Sequence, residues 1–112
     1  MATYVNIKLA EPLQLLTTTQ TFYTVPMGYQ VIATAFTFAN TDSVNTVGLS
    51  LYLCTGNSAP DNSNIIIPNT PIDPGSTVNF DFGHVLNAGD TIKAYASAPG
   101  ITMHGSGITQ LL

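Results

Sequence analysis

The residues that could do chemistry near neutral pH are His84, His104 and the single Cys54. The two histidines stand far apart in the sequence, and no set of cysteines or carboxylates accompanies them at the spacing of a metal site. Cys54 has no second cysteine to pair with, and it follows an apolar run, so we expect a small core residue rather than a reactive thiol. These residues predict neither a metal site nor a catalytic pair.

The carboxylates and the serine motif add little catalytic potential. Of the six carboxylates, Asp73 and Asp90 lie in turn sequences, where local hydrogen bonding is their simplest role, and Asp61 alone in its loop is too little for a calcium site. Gly105-Ser106-Gly107 lacks the spacing of a nucleophile motif and indicates a bend or bulge in a strand. We therefore predict that the protein is not an enzyme and binds no cofactor and no small-molecule substrate.

The segments that carry these residues alternate apolar and polar positions, as β-strands do. Residues 30–39 predict a central strand with both faces covered. One face would carry Ile32, Thr34, Phe36 and Phe38, and the other Val31, Ala33, Ala35 and Thr37. Further strands are indicated by Leu49, Leu51 and Leu53, by Val78, Phe80 and Phe82, by Ile92, Ala94 and Ala96, and by a last strand or bent pair from Ile101 to Ile108.

Turn sequences separate these strands. Proline and glycine stand together in Pro26-Met27-Gly28, Asp73-Pro74-Gly75 and Ala98-Pro99-Gly100, and Asn87-Ala88-Gly89-Asp90 reads similarly. Spacings of roughly 8 to 15 residues between turns favour antiparallel connections over helical crossovers. The sequence predicts an all-β fold, an antiparallel β-sandwich of about eight strands that is jelly-roll-like. An immunoglobulin-like strand order would give the same alternation.

Charged residues make up 7% of the chain, against about 25% in a typical soluble domain. A free monomer normally keeps itself soluble with a mixed charged surface. Here the polar positions carry Thr, Asn, Ser and Gln, which enter an interface without the desolvation penalty of a buried charge. We infer that other subunits cover much of the surface. The alternative is a monomer solvated by neutral polar groups.

The sequence divides into a segment 1–20, ahead of the first strong turn, and a β-sandwich domain over 21–112. The first segment is either an extended arm that pairs with a neighbouring subunit or an edge strand of its own sheet. Within it we predict Tyr4, Ile7 and Leu9 as intersubunit contacts.

Tyr52 and Tyr95 complete the predicted interface. Both project from strand faces opposite the expected core, and exposed tyrosine among neutral polar residues is typical of interfaces. The alternative is that the two rings form a cross-strand pair on a solvated face.

Charge and hydropathy also exclude several partners. The chain has no arginine, and its two lysines, Lys8 and Lys93, are far apart in sequence, which leaves no basic patch for nucleic acid. A formal net charge of -4 disfavours anionic membranes. No stretch approaches the ~20 apolar residues of a spanning helix, and the first residues lack the features of a signal peptide. We expect synthesis and folding in a cytoplasm.

The chain resembles the small β-rich virion proteins of tailed bacteriophages, most of all the capsid decoration, or cement, proteins. The resemblance covers residues 22 to about 110, in turn-and-strand motifs. The matching stretches are Tyr23–Ile32 with its valine-proline-x-glycine turn, Leu49–Leu53, Ile72–Gly75, and Val85–Ala96 with its Leu-x-x-Gly-Asp-x-Ile pattern.

This resemblance implies a virion structural protein on the capsid exterior, a homotrimer that binds the major capsid protein lattice and stabilises the shell. Similar modules occur in phage tails and fibres. The alternative function is therefore a tail or fibre binding module that recognises a host-surface carbohydrate or protein.

Overall fold

The computed structural model describes the backbone of residues 3–111 and, within that range, the side chains of all but residues 3, 10–13 and 82. This part of the chain contains eight strands and no helix, and therefore no helix long and apolar enough to cross a membrane. The strands are β1 (Thr3–Gln14), β2 (Gln20–Thr24), β3 (Tyr29–Asn40), β4 (Val47–Cys54), β5 (Ile65–Ile72), β6 (Thr77–Leu86), β7 (Thr91–Ala96) and β8 (Ile101–Leu111).

The strands form two four-stranded sheets. The first sheet has the order β1-β8-β3-β6 and the second sheet the order β2-β7-β4-β5, with antiparallel pairing throughout. An immunoglobulin-like sandwich would place its first, second, fifth and fourth strands in one sheet. Here the chain instead crosses between the sheets at nearly every connection, which gives the jelly-roll-like order. The predicted antiparallel β-sandwich of about eight strands is confirmed.

The core lies between the sheets and is built from alternating residues of both. The first sheet contributes aromatic bulk, because Phe36 and Phe38 are fully buried and Phe80 packs edge-on against Phe38 with ring centroids 5.9 Å apart. The second sheet contributes aliphatic residues, including Leu49 and Leu51. Each large side chain buried in this way stabilises the fold by about 1.5–3 kcal/mol.

A bulge in β3 changes the predicted faces of that strand. The registers of β3 with both neighbours shift between Ala33 and Ala35, so the alternation restarts after Thr34. The prediction that Ile32 shares a face with Phe36 is therefore wrong. The core-facing residues of β3 are Val31, Ala33, Phe36 and Phe38, while Ile32, Ala35 and Thr37 point outward.

The predicted turns use glycine where the backbone requires it. Gly28 and Gly89 have φ angles of 86° and 88°, in the left-handed region that other residues rarely adopt. The two turns meet, because the Val25 amide donates to the Asp90 carbonyl oxygen at 2.9 Å and the Gly89 amide donates to the Val25 carbonyl oxygen at 2.9 Å. They close the end of the sandwich where β6 leads into β7.

The segment before the first turn contributes to the sandwich. Strand β1 pairs with β8 in an antiparallel register that joins Thr3 to Leu111 and Gln14 to Thr102. Leu15, just after β1, is buried in the core. In the structure the segment is thus an edge strand of its own sheet.

Candidate interaction surfaces

The outer face of the second sheet is covered by the protein itself. Residues that point away from the core are nevertheless buried on its two central strands. On β4 these are Ser50, Tyr52 and Cys54, and on β7 they are Thr91 and Lys93. Their burial means that this face offers little accessible surface to a partner.

The covering element is the loop 55–64, which hydrogen bonds tie to β7 and its preceding turn. The Lys93 ammonium donates to the Ser58 carbonyl oxygen at 2.9 Å, and the Thr91 hydroxyl donates to the Gly56 carbonyl oxygen at 3.0 Å. The Gly56 amide in turn donates to Oδ1 of Asp90 at 2.9 Å. The loop is therefore fixed at several points, although most of its own side chains are exposed.

The loop's carboxylate is engaged within the loop. Oδ1 of Asp61 accepts from the Ser63 amide at 2.8 Å and from the Ser63 hydroxyl, and these bonds lower the pKa of Asp61. Among the described residues, no group of three or more histidine, cysteine, aspartate or glutamate side chains could hold a metal ion. Asp61 thus has a local structural role.

Tyr52 and Tyr95 stack on each other on the outer side of the second sheet. Their ring centroids are 6.2 Å apart with planes inclined by 19°. Tyr52 pairs with Lys93 and Tyr95 with Ser50 across β4 and β7, so the rings are diagonal cross-strand neighbours. Tyr52 is 8% exposed, and burial is the largest cause that raises its pKa. The rings thus form the cross-strand pair of the alternative interpretation, although the face around Tyr52 is buried and not solvated. A role of either ring as a partner contact stays a prediction.

The three candidates on β1 occupy different environments. Tyr4 is 63% exposed and is accessible to a partner. Ile7 is partly buried and packs against the core, whereas Leu9 is 1% exposed and belongs to the core itself. The structure therefore places Leu9 in the core, because alternation along β1 puts it on the same face as Ile7.

His84 and His104 are not brought together. His104 lies opposite Thr37 and His84 opposite Ala33. Because Thr37 faces outward and Ala33 faces the core, the histidines project from opposite sides of the first sheet.

A cavity of about 240 Å³ lies beside His84 and Asp90. Its floor is formed by residues such as Leu53, Ile66 and Leu86. Both carboxylate oxygens of Asp90 are occupied, since Oδ1 accepts from Gly56 and Oδ2 accepts from the Asn87 amide at 2.8 Å. Among the residues whose side chains are described, the lining includes the imidazole of His84 and no phenylalanine, tyrosine or tryptophan ring.

Cys54 also borders this cavity but is 1% exposed. Burial is the largest cause that raises the pKa of its thiol. Because the thiolate is the nucleophile, a raised pKa and low exposure together disfavour reactivity.

The outer face of the first sheet has a different character, and we call it the open face. It consists of the outward residues of β1, β8, β3 and β6, which the strand registers align in rows. Its described members are Tyr4, Asn6, Lys8, Gln14, Thr102, His104, Ser106, Ile108, Gln110, Gln30, Ile32, Ala35, Thr37, Ala39, Thr77, Asn79, Asp81 and Val85. Most are uncharged, and no described segment of the chain forms a third layer over them.

One row of the open face is apolar. Ile108 pairs with Ile32, and Ile32 pairs with Val85, which is 54% exposed at the edge strand β6. Sequence reasoning missed this row because it assigned Ile32 to the core face. The available signal was that residues 30–39 carry apolar side chains on both faces. The sequence does not reveal the bulge between Ala33 and Ala35 that turns Ile32 outward.

Comparisons with known proteins agree with this fold. No protein-family model matches the chain, and no curated protein matches it. Solved structures do match. The chain is similar to the T13 particle of infectious bursal disease virus, with a TM-score of 0.63 and 13% identity over 98% of this chain and 31% of that chain. The VP2 subviral particle of the same virus matches with a TM-score of 0.57 and 13% identity, over 98% of this chain and 33% of that chain.

A second kind of structural relative is a bacterial surface fibre. The chain is similar to a subunit of Bacillus endospore appendages, described as disulfide-linked pili, with a TM-score of 0.59 and 16% identity over 100% of this chain and 91% of that chain. The protein thus spans about a third of the length of the viral chains and nearly the whole of the pilus subunit. At these identities the likeness shows a shared fold, an eight-stranded antiparallel sandwich that recurs in subunits of large assemblies.

Proposed function

We propose that the protein is a structural subunit of a virion, and in particular a capsid cement or decoration protein that binds the major capsid protein lattice. The observation that carries the proposal is the open face, a broad sheet surface of mostly uncharged residues on a chain with 7% charged residues. Such a surface suits a contact that forms once and persists, because few ionised groups need to be desolvated. The likeness to viral particles in fold supports the same conclusion.

The proposed mechanism is stabilisation by mass action. A protein that binds the assembled shell and not its separated subunits shifts the equilibrium toward the shell. At a free concentration one hundred times its Kd, each bound copy stabilises its site by about 2.7 kcal/mol. The protein would act as a homo-oligomer, a trimer, on the capsid exterior, and no step of this mechanism needs a catalytic residue.

Addition of the purified protein to shells that lack it tests the proposal. We expect wild-type protein to sediment with expanded shells and to raise their melting temperature. Val85→Asp, on the open face, should lose this binding, because it places a charge in the contact. Val44→Asp is the matched control, since Val44 is 78% exposed in the β3–β4 loop, away from the open face. Failure of wild-type protein to bind, or its location at the tail by electron microscopy, would contradict the proposal.

The length of the pilus match supports a second candidate, a subunit of a surface filament. The pilus relative is disulfide-linked and almost equal in length to this chain. Cys54, the single cysteine, is 1% exposed, so it is not available for a bond between folded subunits. A filament of this protein would have to be non-covalent. Negative-stain microscopy of concentrated protein, with and without reductant, tests this candidate, and filaments that persist in reductant would support it.

A tail or fibre binding module makes a different prediction. Among the described side chains, the cavity near His84 is lined by no phenylalanine, tyrosine or tryptophan ring that could stack on a sugar. Binding of the isolated protein to a glycan array would favour the module over a shell subunit.

A further inference from the structure

We propose that a second copy of this chain docks on the open face, related to the first by a twofold axis that runs parallel to the strands, midway between the two faces. This goes beyond the proposed function, because it concerns the free protein: the dimer covers in solution the open face that the proposed function gives to the shell, and it must separate before that face binds a lattice.

The strand registers order the open face in level rows. Read from β1 through β8 and β3 to β6, one row is Asn6, Ile108, Ile32 and Val85. The next row in the same reading is Lys8, Ser106, Ala35 and Asp81. Each row therefore has one end on each edge strand of the sheet.

The one ammonium group and the one carboxylate group among the described residues of the open face lie at opposite ends of one row. Lys8 is exposed on β1 and Asp81 is exposed on β6. Three strand spacings separate them, about 14 Å, so they are too far apart to pair with each other. A positive and a negative charge thus occupy the two edges of the same face at the same level.

A twofold axis parallel to the strands makes this arrangement complementary to itself. Such an axis exchanges β1 with β6 and β8 with β3, and it keeps each row at its level. Lys8 of one copy would then lie over Asp81 of the other, and the same contact would occur twice. In the neighbouring row, Ile108 would lie over Ile32, which buries the apolar row that each copy leaves partly exposed.

The same charges disfavour the other symmetric arrangement. The row of Lys8 and Asp81 is the middle row, with that of Ile32 on one side and that of Thr37 and Asn79 on the other. A twofold axis perpendicular to the strands through that row would place Lys8 over Lys8 and Asp81 over Asp81. Like charges opposed across an interface disfavour association.

The open face is large enough for such a contact. Four strands and about five rows cover roughly 600 Å² per copy at ordinary strand and residue spacings. Two copies would bury about 1,200 Å² in total, at the lower end of the range for specific interfaces. The opposite sheet cannot offer an equal area, because its own loop 55–64 occupies the outer surface.

Charge reversal tests the proposal in free protein. We expect sedimentation equilibrium to show a wild-type dimer at micromolar concentration. Lys8→Glu alone or Asp81→Lys alone should raise the dimer Kd at least about tenfold, because each opposes like charges twice. The double variant, Lys8→Glu with Asp81→Lys, should dimerise with a Kd close to that of the wild type. Val44→Asp serves as a control for added charge, and circular dichroism verifies that each variant is folded.

Crosslinking gives a second readout that depends on geometry. In a Cys54→Ala background, Asn6→Cys chains mixed with Val85→Cys chains should form a disulfide heterodimer, because the axis places these positions opposite each other. Either variant alone should crosslink poorly. Three results would overturn the proposal. They are wild-type protein that stays monomeric at about one hundred times a micromolar concentration, a double variant that does not associate, and single cysteine variants that crosslink as well as the mixture. None of these results depends on shell binding, so the proposal and the proposed function can fail separately.

Discussion

The ammonium of Lys93 and the carbonyl oxygen of Ser58 are joined by a hydrogen bond of 2.9 Å that holds the loop 55–64 against the second sheet. Lys93 is 8% exposed although it points away from the core. The loop thereby lies over the outer side of one sheet, whereas no described segment of the chain lies over the open face. This asymmetry is the main functional information that the structure adds to the sequence.

The hydrogen bond makes Lys93→Met a test of the loop's attachment. Loss of the charged donor leaves the Ser58 carbonyl group without this partner, and we expect the free energy of unfolding to fall by about 1–3 kcal/mol. Urea denaturation measures the change, and limited proteolysis should show faster cleavage within the loop. Lys93→Arg is the matched control because it retains a cationic donor. Equal stability and equal proteolysis for wild type and Lys93→Met would show that the bond does not hold the loop.

The stacked tyrosines give a prediction that separates a structural role from an interface role. Tyr95→Ala should lower the free energy of unfolding by about 1–2 kcal/mol, because it removes the ring that stacks on Tyr52. Tyr95→Phe keeps the ring and should retain most of the stability. Sedimentation should give both variants the oligomeric mass of the wild type. An oligomer lost in Tyr95→Ala with stability unchanged would instead identify Tyr95 as a subunit contact.

Gly107 allows strand β8 to approach its neighbours closely. A β-carbon added there would lie 2.5 Å from the Ile32 carbonyl oxygen and 2.9 Å from Cδ1 of Leu9. Because backbone cannot yield as a flexible side chain can, we expect Gly107→Ala to lower stability by about 1–3 kcal/mol. Gly83→Ala is the control, since an added β-carbon there meets no atom within 4 Å. Thermal denaturation compares the two, and similar melting temperatures would contradict the expected crowding.

The hydrogen bonds of Asp42 in the β3–β4 loop predict that the stability of the protein depends on pH in the acid range. Its Oδ1 accepts from the Asn45 amide at 2.9 Å and from the Val44 amide at 2.8 Å, and these bonds, Asn45 first, lower the pKa of Asp42 below 3.8. The unfolded chain therefore binds this proton at a higher pH than the folded chain does. Stability from Asp42 should be complete above pH 3.8 and fall as pH drops through the folded pKa.

Asp42→Asn provides the comparison for that pH dependence. The variant lacks the titrating group, so its stability should vary less between about pH 4 and pH 2 than that of the wild type. The urea midpoints of the wild type and of Asp42→Asn, measured across this pH range, test the expectation. Parallel curves for the two proteins would mean that the loop carboxylate does not contribute to acid sensitivity.

Much of the fold could be predicted because strands and turns follow local rules. Alternation identified the strand around Phe36 and the inward residues of β4, and the turns at Gly28 and Gly89 were predicted from sequences that need a positive φ. The register shifts could not be predicted, because a bulge is set by pairing between distant strands. The position of Ile32 differs from its prediction for this reason.

The candidate surface was less predictable than the fold. Alternation correctly placed Tyr52 on the side away from the core, yet the loop 55–64 buries that side through contacts between residues as distant as Ser58 and Lys93. The small share of charged residues indicated that part of the protein surface is covered, but it did not indicate which sheet is covered. That choice depends on tertiary packing, which local patterns do not encode.

The pairing of β1 with β8 has a consequence for how the protein is made. Lys8 faces Ser106, and Thr3 faces Leu111, so the first strand emerges from the ribosome long before its neighbour has been synthesised. Until then β1 is held by no strand of its own sheet and exposes apolar side chains to water. Such non-local pairing slows folding and leaves nascent chains open to aggregation. Yield in expression should therefore respond to chaperone supply and growth temperature more than the stability of the finished sandwich would suggest.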